Sequence, residues 1–304
     1  MGQVYVDKAE LDVFTLCKSS KNSPPLVSQL LLDSHTSIRI DGCIPLSYSA
    51  SMTRVIAVSN LKGGSAKTTT TVTVGAEFAV LGWRVLLIDV DGQGHLAEAY
   101  GIQAMSVERD MSDVLEGSVP LQHVIRPLRP NLFLAPSNLR LANLEPHLIS
   151  SVGRENKLRK ALKPLLGEFD MILIDCPPSV GIYTVNAFAA ASEVLVPMSA
   201  EFFALTGVSM LLDSLAKLRA GLEHDIKVTG IVPTRVTRTV NARDVVDQAK
   251  AQLGNNYRFF TGVPESVAVR EATVAGQPVT EYAPDNPASV AYRQVAKEIF
   301  DGKG

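Results

Sequence analysis

A glycine pair flanked by two lysines constrains this chain of 304 residues more than any other feature. Residues 60–69 read NLKGGSAKTT and follow an apolar run, VIAV, at 55–58. Glycines let backbone N–H groups turn inward around a phosphate, so that Lys67 can reach the outer phosphates and the Thr68 hydroxyl can join a magnesium ion. The sequence therefore predicts a phosphate-binding loop between a strand and a helix.

This loop departs from the general phosphate-loop pattern in its glycines and in its lysines. The pattern places glycine at positions 61 and 66, where this chain has Leu61 and Ala66. A single phosphate loop also needs only one lysine, and this one carries Lys62 as well as Lys67. Lys62 is therefore the unusual element of the loop.

The composition limits the classes of function that this chain can have. The length suits one large α/β domain or two small ones. The net charge of −2 means that nucleic-acid binding would have to come from a local basic patch. Cys17, Cys43 and Cys176 lack paired metal-ligand spacing, which favours a reduced, cytoplasmic chain. No apolar run is long enough to span a membrane, and no signal-peptide pattern is present, so we expect no membrane partner.

Residues 1–52 differ from the rest of the chain. They lack a clean hydrophobic period and include a Ser/Asn/Pro-rich stretch at 19–25. One interpretation is a poorly ordered extension, or an upstream start with the natural start at Met52. The other is a small regulatory or partner-binding arm.

Apolar strand-like runs alternate with helical patterns from Arg54 onward. The predicted strands are Val55–Ser59, Val85–Asp89, Leu132–Ala135, Met171–Asp175, Val194–Pro197 and Val228–Val232. The predicted helices are Thr68–Leu81, Glu155–Leu166, Thr184–Ala191, Gly207–Ala220, Ala242–Leu253 and Ala288–Phe300. This alternation indicates an α/β fold with a mostly parallel twisted sheet flanked by helices. In such a fold ligands bind beyond the carboxyl ends of the strands.

The predicted helix after the loop conflicts with local propensity. Residues 68–74 read TTTTVTV, and β-branched residues are poor helix formers. A phosphate loop nevertheless requires a helix to begin here, because the unpaired N–H groups and the dipole of a helix N-terminus hold anions. We therefore expect a helix in spite of the local sequence.

Acidic residues stand at the tips of two predicted strands. Strand alternation sends Asp89 and Asp91, in VLLIDVD at 85–91, to the same side, and MILID at 171–175 ends in Asp175. Strand-end acids of this kind hold magnesium directly or through water. Asp91, past the strand tip, is better placed to orient an attacking water. The alternative for Asp89 and Asp91 is a pair of solvated strand-end acids.

Together these motifs resemble those of the ParA/MinD ATPases. KGGSAKTT at 62–69 resembles their deviant Walker A motif, DVDGQG at 89–94 their D-x-D-P-Q-G motif, and IDCPPS at 174–179 their Walker B motif and switch. EFFALTG at 201–207 and parts of 263–272 are similar to later blocks of the family. The resemblance covers residues 53–304, and it implies an ATPase domain of P-loop architecture with ATP and Mg²⁺ as cofactors.

The resemblance also implies roles for individual residues. Three are catalytic candidates: Lys62 as the signature lysine that crosses a nucleotide-sandwich dimer, Lys67 on the phosphates, and Asp91 on the hydrolytic water. The implied ATP-binding residues are Lys62, Gly63, Gly64, Ser65, Ala66, Lys67, Thr68, Thr69, Thr234 and Pro264, the last two beside the adenine. The implied metal ligands are Thr68, Asp89 and Asp175. Gly92 stands where the family usually has proline and His95 where it has asparagine, which with Ala66 leaves the hydrolysis rate open.

Within the family the motifs are most similar to ParA/Soj partition ATPases, which bind DNA non-specifically as ATP dimers. Arg238 occupies the place of one DNA-binding arginine, and Arg270 lies two residues beyond Ala268, which occupies the second place. The resemblance implies a slow ATPase stimulated by a ParB-like partner, cytoplasmic and nucleoid-associated, that segregates a plasmid or chromosome. The alternative is a nucleotide-gated module that positions protein cargo with little hydrolysis. A local basic run surrounds Arg238: Lys217, Arg219, Lys227, Arg235 and Arg243.

Overall fold

The structure is a computed structural model and describes residues 53–202, 204–222 and 224–302. The expectations for residues 1–52 lie outside these ranges. Within them, no helix is both long enough and apolar enough to cross a membrane.

The strands of this part of the chain form one seven-stranded sheet in the order β3-β4-β2-β5-β1-β6-β7. The strands are β1 (Arg54–Val58), β2 (Val85–Asp89), β3 (Arg126–Arg129), β4 (Leu132–Ala135), β5 (Met171–Asp175), β6 (Glu193–Ser199) and β7 (Lys227–Thr234). Every neighbouring pair is parallel except β3 with β4. The predicted fold class, a mostly parallel sheet, is confirmed.

Helices cover both faces of the sheet. They are α1 (Lys67–Val80), α2 (His95–Glu98), α3 (Met111–Glu116), α4 (Arg140–Ser150), α5 (Lys157–Leu162), α6 (Ile182–Ala190), α7 (Ala204–Leu222), α8 (Val240–Leu253), α9 (Val267–Val274), α10 (Val279–Tyr282) and α11 (Pro287–Asp301). Short 3₁₀ turns lie at Ala104–Ser106, Leu121–His123, Arg154–Asn156 and Lys163–Leu165.

Alternate residues of each central strand enter two separate cores. In β2, Leu86 and Ile88 pack into the core beneath α6 and α7, whereas Val85 and Leu87 pack into the core beneath α1 and α11. Because both faces are covered, the strands read as continuous apolar runs rather than as an alternating pattern. This arrangement leaves the carboxyl ends of β1, β2 and β5 side by side at one edge of the sheet.

The structure differs from the sequence-based expectation at β3, at α4 and over residues 155–166, and it adds the short helices α2, α3, α9 and α10. β3 is an edge strand whose sequence, RPLR, carries no apolar run, and α4 contains Pro146, which a helix interior disfavours. The single helix expected over 155–166 is instead a 3₁₀ turn, α5 and a second 3₁₀ turn that contains Pro164.

The helix expected after the phosphate loop is confirmed as α1, where burial of its apolar side chains overrides weak propensity.

Candidate active site

The phosphate-binding loop joins β1 to α1. Gly64 and Ala66 both have positive φ, +74° and +65°, and the backbone turns sharply at each of them. No side chain caps the N-terminus of α1, so the N–H groups of its first turn are available to an anion. The loop accepts alanine in a conformation that favours glycine. Its free N–H groups suit an anion, and anion binding by this loop stays a prediction.

Lys67 is buried against this loop. Its Nζ donates a hydrogen bond of 3.4 Å to the backbone carbonyl of Lys62. Burial lowers the pKa of Lys67, and the negative charge of Asp175 opposes that effect. A buried ammonium group whose hydrogen bond to the protein is this long gains from pairing with a phosphate oxygen.

Thr68 and Asp175 meet at the carboxyl end of β5. Thr68 Oγ1 donates to Asp175 Oδ2 at 2.6 Å, and Thr71 Oγ1 donates to Oδ1 at 3.3 Å. Burial raises the pKa of Asp175 to about 7, although the Thr68 hydrogen bond and the charge of Lys67 act against the rise. A hydroxyl beside a carboxylate supplies the hard oxygen ligands that Mg²⁺ prefers. These two residues therefore fit a magnesium ion next to the loop.

Asp89 is fully buried and lies opposite Asp175 in the sheet register. Its carboxylate accepts hydrogen bonds from the backbone N–H groups of Asp91, at 2.9 Å, and Leu96, at 3.2 Å. Burial and the charge of Asp175 raise the pKa of Asp89. Asp89 therefore fixes the turn that carries Asp91, and its role as a metal ligand stays a prediction.

Asp91 lies two residues beyond the end of β2. Its side chain is half-buried, its Oδ1 accepts from the backbone N–H of Gln93 at 3.1 Å, and its backbone carbonyl accepts from the Ser137 hydroxyl. The charge of Asp91 acts on both Lys67 and Asp175. The alternative of two solvated acids is wrong for Asp89, which is buried, while the role of Asp91 on the attacking water stays a prediction.

Helix α4 explains the glycine that replaces the usual proline after Asp91. A Cβ at Gly92 would lie 3.1 Å from the backbone nitrogen of Ala142 in α4. Gly94, with φ +69°, is more tightly constrained, because a Cβ there would lie 2.6 Å from the Ala104 Cβ. The close approach of α4 thus accounts for Gly92 through packing, and sequence reasoning missed it because α4 was not predicted.

Lys62 contacts a carboxylate of its own chain. Its Nζ lies 2.6 Å from Glu201 Oε2, and its backbone N–H donates to Asn60 Oδ1 at 3.0 Å. Arg235 pairs with the other Glu201 oxygen at 2.9 Å and with Glu265 Oε1 at 3.2 Å. Sequence analysis assigned Glu201 no role beyond its family block, and the reach of Lys62 into a partner subunit stays a prediction.

The two adenine candidates, Thr234 and Pro264, lie in different surroundings. Thr234 is buried, and its hydroxyl donates to the Ser65 carbonyl at 3.0 Å, so it supports the phosphate loop. Pro264 lines a cleft of about 550 Å³ together with Arg238 and Arg270. Pro264, one of the two predicted adenine contacts, and both predicted DNA contacts therefore share one cleft, and the roles of all four residues stay predictions.

Two arginines of the basic run are engaged within the fold. Arg235 makes the two ion pairs just described, and Arg219 Nε donates to the Ile226 carbonyl at 2.6 Å. Arg238 and Arg270 are exposed, and neither has an ion-pair partner in the part of the chain that the structure describes. The two predicted DNA contacts are thus the cations most available to a ligand near this cleft.

The chain is similar to known proteins over most of its length. The AAA domain family matches residues 53–228. The sporulation initiation inhibitor protein Soj of Bacillus subtilis is 34% identical over 250 residues, which cover 82% of this chain and 98% of that protein. The chromosome-partitioning ATPase Soj of Thermus thermophilus is 38% identical over 81% of this chain and 95% of its own length. The structure of cobyrinic acid a,c-diamide synthase from Mycobacterium smegmatis with bound ATP analog and magnesium is 33% identical, with a TM-score of 0.69, over 81% of this chain and 93% of that one.

The fold, the phosphate loop and the similarity to known proteins together place this chain in the class of nucleotide-hydrolysing P-loop ATPases. More narrowly, the chain belongs to the ParA/MinD family, and it is a ParA-like ATPase.

A second family, the 4Fe-4S iron sulfur cluster binding proteins of the NifH/frxC family, matches residues 166–304. Such clusters are held by cysteine thiolates, and Cys176 is the single cysteine of this segment. Its thiol is buried and donates weakly to the Ile174 carbonyl at 3.7 Å, and burial raises its pKa. One buried, protonated thiol does not fit an iron–sulfur cluster, so we attribute the match with this second family to a shared fold.

Proposed function

We propose that this chain is a ParA-type partition ATPase that binds Mg–ATP and dimerises around the nucleotide. The proposal rests on the different positions of the two lysines of the loop. Lys67 is buried beside Thr68 and Asp175, whereas the Nζ of Lys62 lies outside that cluster on Glu201. Lys67 suffices for the triphosphate of its own subunit, which leaves Lys62 to serve the triphosphate of a second one.

Electrostatics favours this use of Lys62. Two ATP molecules that face each other across an interface repel, because each carries several negative charges. A lysine contributed by each subunit would offset that repulsion where the phosphates are closest. Pairing would then depend on bound triphosphate, and the loss of the γ-phosphate would remove the contact and loosen the dimer.

Hydrolysis in this proposal is performed by side chains already in place. Lys67 exchanges its long hydrogen bond for a phosphate oxygen, and the N–H groups at the start of α1 hold the remaining oxygens. Thr68 and Asp175 would hold Mg²⁺, whose charge offsets that of the phosphates when it is bound. Asp91, positioned by Asp89 and Ser137, orients the attacking water.

We extend the proposal to DNA and to a protein partner. Arg238 and Arg270, both exposed, would contact DNA phosphates without reading bases, so that binding weakens as salt rises. A ParB-like centromere-binding protein would accelerate a slow basal hydrolysis in the cytoplasm, on the nucleoid, to segregate a plasmid or chromosome. Support comes from the relatives, which are named as chromosome-partitioning proteins.

The experiment is light scattering of the purified chain with ATP, a non-hydrolysable analogue or ADP. We expect a dimer with the first two and a monomer with ADP. Lys67→Ala should remain a monomer throughout, because it loses nucleotide binding. A wild-type monomer in every nucleotide would defeat the proposal.

One observation favours the alternative function, in which the chain positions protein cargo with little hydrolysis. Ala66 occupies a left-handed conformation inside the loop, so the loop holds strain that a glycine would not have. Phosphate release measured with and without DNA separates the two functions. Stimulation by DNA together with a partner protein favours partition, and negligible release under every condition favours positioning.

A further inference from the structure

A groove of about 450 Å³ lies between the C-terminal end of α3 and α5. None of its lining residues belongs to the phosphate loop or to the strand-end acids. Val119, Pro120, Ala161 and Pro164 give it a largely apolar lining. Val152, which also lines it, is 100% exposed. An apolar side chain that stands entirely in water gains free energy when a partner covers it.

The segment that borders this groove is strongly basic. Residues 154–163 contain five cations and one acid, a net charge of +4 in a chain whose net charge is −2. The five cations are Arg154, Lys157, Arg159, Lys160 and Lys163. None of them has an ion-pair partner among residues 53–202, 204–222 and 224–302. Because unpaired cations this close together repel one another, the surface attracts an anionic partner. We call the groove and these five residues the basic groove.

The stability of α5 does not account for all of this charge. Lys157 is the first residue of α5, and a cation there opposes the helix dipole, which favours cations only near the C-terminal end. Its Nζ donates instead to the Glu116 carbonyl of α3 at 3.5 Å. Lys160 Nζ lies against the turn before α5, since a Cβ at Gly153 would lie 3.6 Å from it. Both lysines line the groove, so their ammonium groups border its apolar surface.

Buried hydrogen bonds hold the basic groove in shape. Asn186 of α6 is fully buried, and its Oδ1 accepts from the Leu158 N–H in the first turn of α5 at 3.1 Å. Its Nδ2 donates to the Arg154 carbonyl at 2.7 Å. One side chain thus fixes both α5 and the turn before it. A surface that is already ordered loses little conformational entropy when a partner binds.

We propose that the basic groove is a docking surface for an acidic peptide segment of a partner protein. Apolar side chains of the segment cover Val152 and the apolar lining, and its carboxylates pair with Lys157 and Lys160. The groove shares no lining residue with the cleft of Arg238 and Arg270, so this partner is additional to those of the proposed function.

DNA is the competing anionic partner for this surface. Its phosphates would use the cations, but they would leave the apolar lining and Val152 uncovered. A peptide satisfies both features, because protein interfaces combine an apolar centre with a polar rim. The apolar lining therefore favours a peptide over DNA.

The test is fluorescence anisotropy of labelled peptides with the full chain in the absence of nucleotide. The first probe is a synthetic peptide of about twelve residues, made of aspartate, glutamate and serine with two leucines and one phenylalanine. We expect it to bind with a Kd of roughly 10–100 µM. A second peptide with serine in place of each apolar residue should bind about tenfold more weakly, because it covers no apolar surface.

Two variants test the charged and the apolar parts of the basic groove separately. Lys157→Glu combined with Lys160→Glu should weaken binding of the first peptide about tenfold or more. Val152→Ser should weaken it about threefold or more, and its fully exposed position leaves the fold intact. The matched control combines Lys250→Glu with Lys297→Glu, at exposed positions of α8 and α11, and should stay within about twofold of the wild type.

The inference is refuted if the first peptide does not bind, or if it binds the wild type and the Lys157/Lys160 double variant equally. It is also refuted if the serine peptide binds as tightly as the first, since the apolar lining would then have no role. A DNA duplex that loses affinity in the double variant, together with no peptide binding, would make the surface a DNA contact and overturn the proposal. These measurements need neither nucleotide nor dimer, so their outcome is independent of the proposed function.

Discussion

Replacing Ala66 with glycine should stabilise the nucleotide-free protein. Ala66 has φ +65° and ψ +32° directly before α1, and the left-handed conformation costs an L-residue roughly 1–2 kcal/mol. Glycine adopts this conformation without that cost, but it loses about 0.4–1 kcal/mol more backbone entropy on folding. The difference leaves a stabilisation of about 0.5–1 kcal/mol, or roughly 1–4 °C in Tm for a domain of this size.

Thermal and urea unfolding followed by circular dichroism measure this effect. The matched control is Ala216→Gly, an exposed position inside helix α7. There glycine relieves no left-handed residue and should destabilise the protein by about 1 kcal/mol. The two substitutions are chemically identical, so their opposite signs isolate the backbone conformation at position 66.

The reasoning fails if Ala66→Gly destabilises the protein as much as Ala216→Gly does. That result would mean that residue 66 is not left-handed in the folded loop, and the account of an alanine tolerated at a glycine position would be withdrawn.

Three further substitutions test the catalytic, DNA-binding and structural assignments. Asp91→Ala should bind ATP as the wild type does while phosphate release falls about 100-fold or more, because orientation of the water is lost; unchanged release would refute its role. Arg238→Ala should weaken DNA retention and reduce the slope of log affinity against log salt by about 1, with dimerisation unchanged; equal retention at every salt concentration would contradict the contact. Glu193→Gln should flatten the loss of stability at acid pH. Burial alone would raise the pKa of Glu193, but the hydrogen bond and charge of Arg54 hold it below its ordinary value of 4.5. The stabilisation is therefore complete above about pH 4.5 and lost as pH falls through the lower folded pKa; identical acid unfolding profiles in wild type and variant would refute the assignment.

The sequence predicted the parts of the fold that have a local cause. The central strands are continuous apolar runs, and the acids at their tips follow directly from the strand ends. Helix α1 was predicted against its own β-branched composition, because an anion-binding loop requires a helix there.

The parts that were missed depend on contacts between distant segments. Lys62 and Glu201 are 139 residues apart in the chain, and no local pattern indicates that they pair. Gly92 has a packing reason only once α4 is in place, and the proline in α4 concealed that helix. Thr234 likewise supports the loop through a hydrogen bond to Ser65, 169 residues away.

The structure of the chain bound to a non-hydrolysable ATP analogue and Mg²⁺ tests the central claim directly. The account predicts two subunits with facing nucleotides, and Lys62 Nζ about 3 Å from a phosphate oxygen of the partner's nucleotide. It is contradicted if Lys62 Nζ lies beyond hydrogen-bond reach of every phosphate in both subunits.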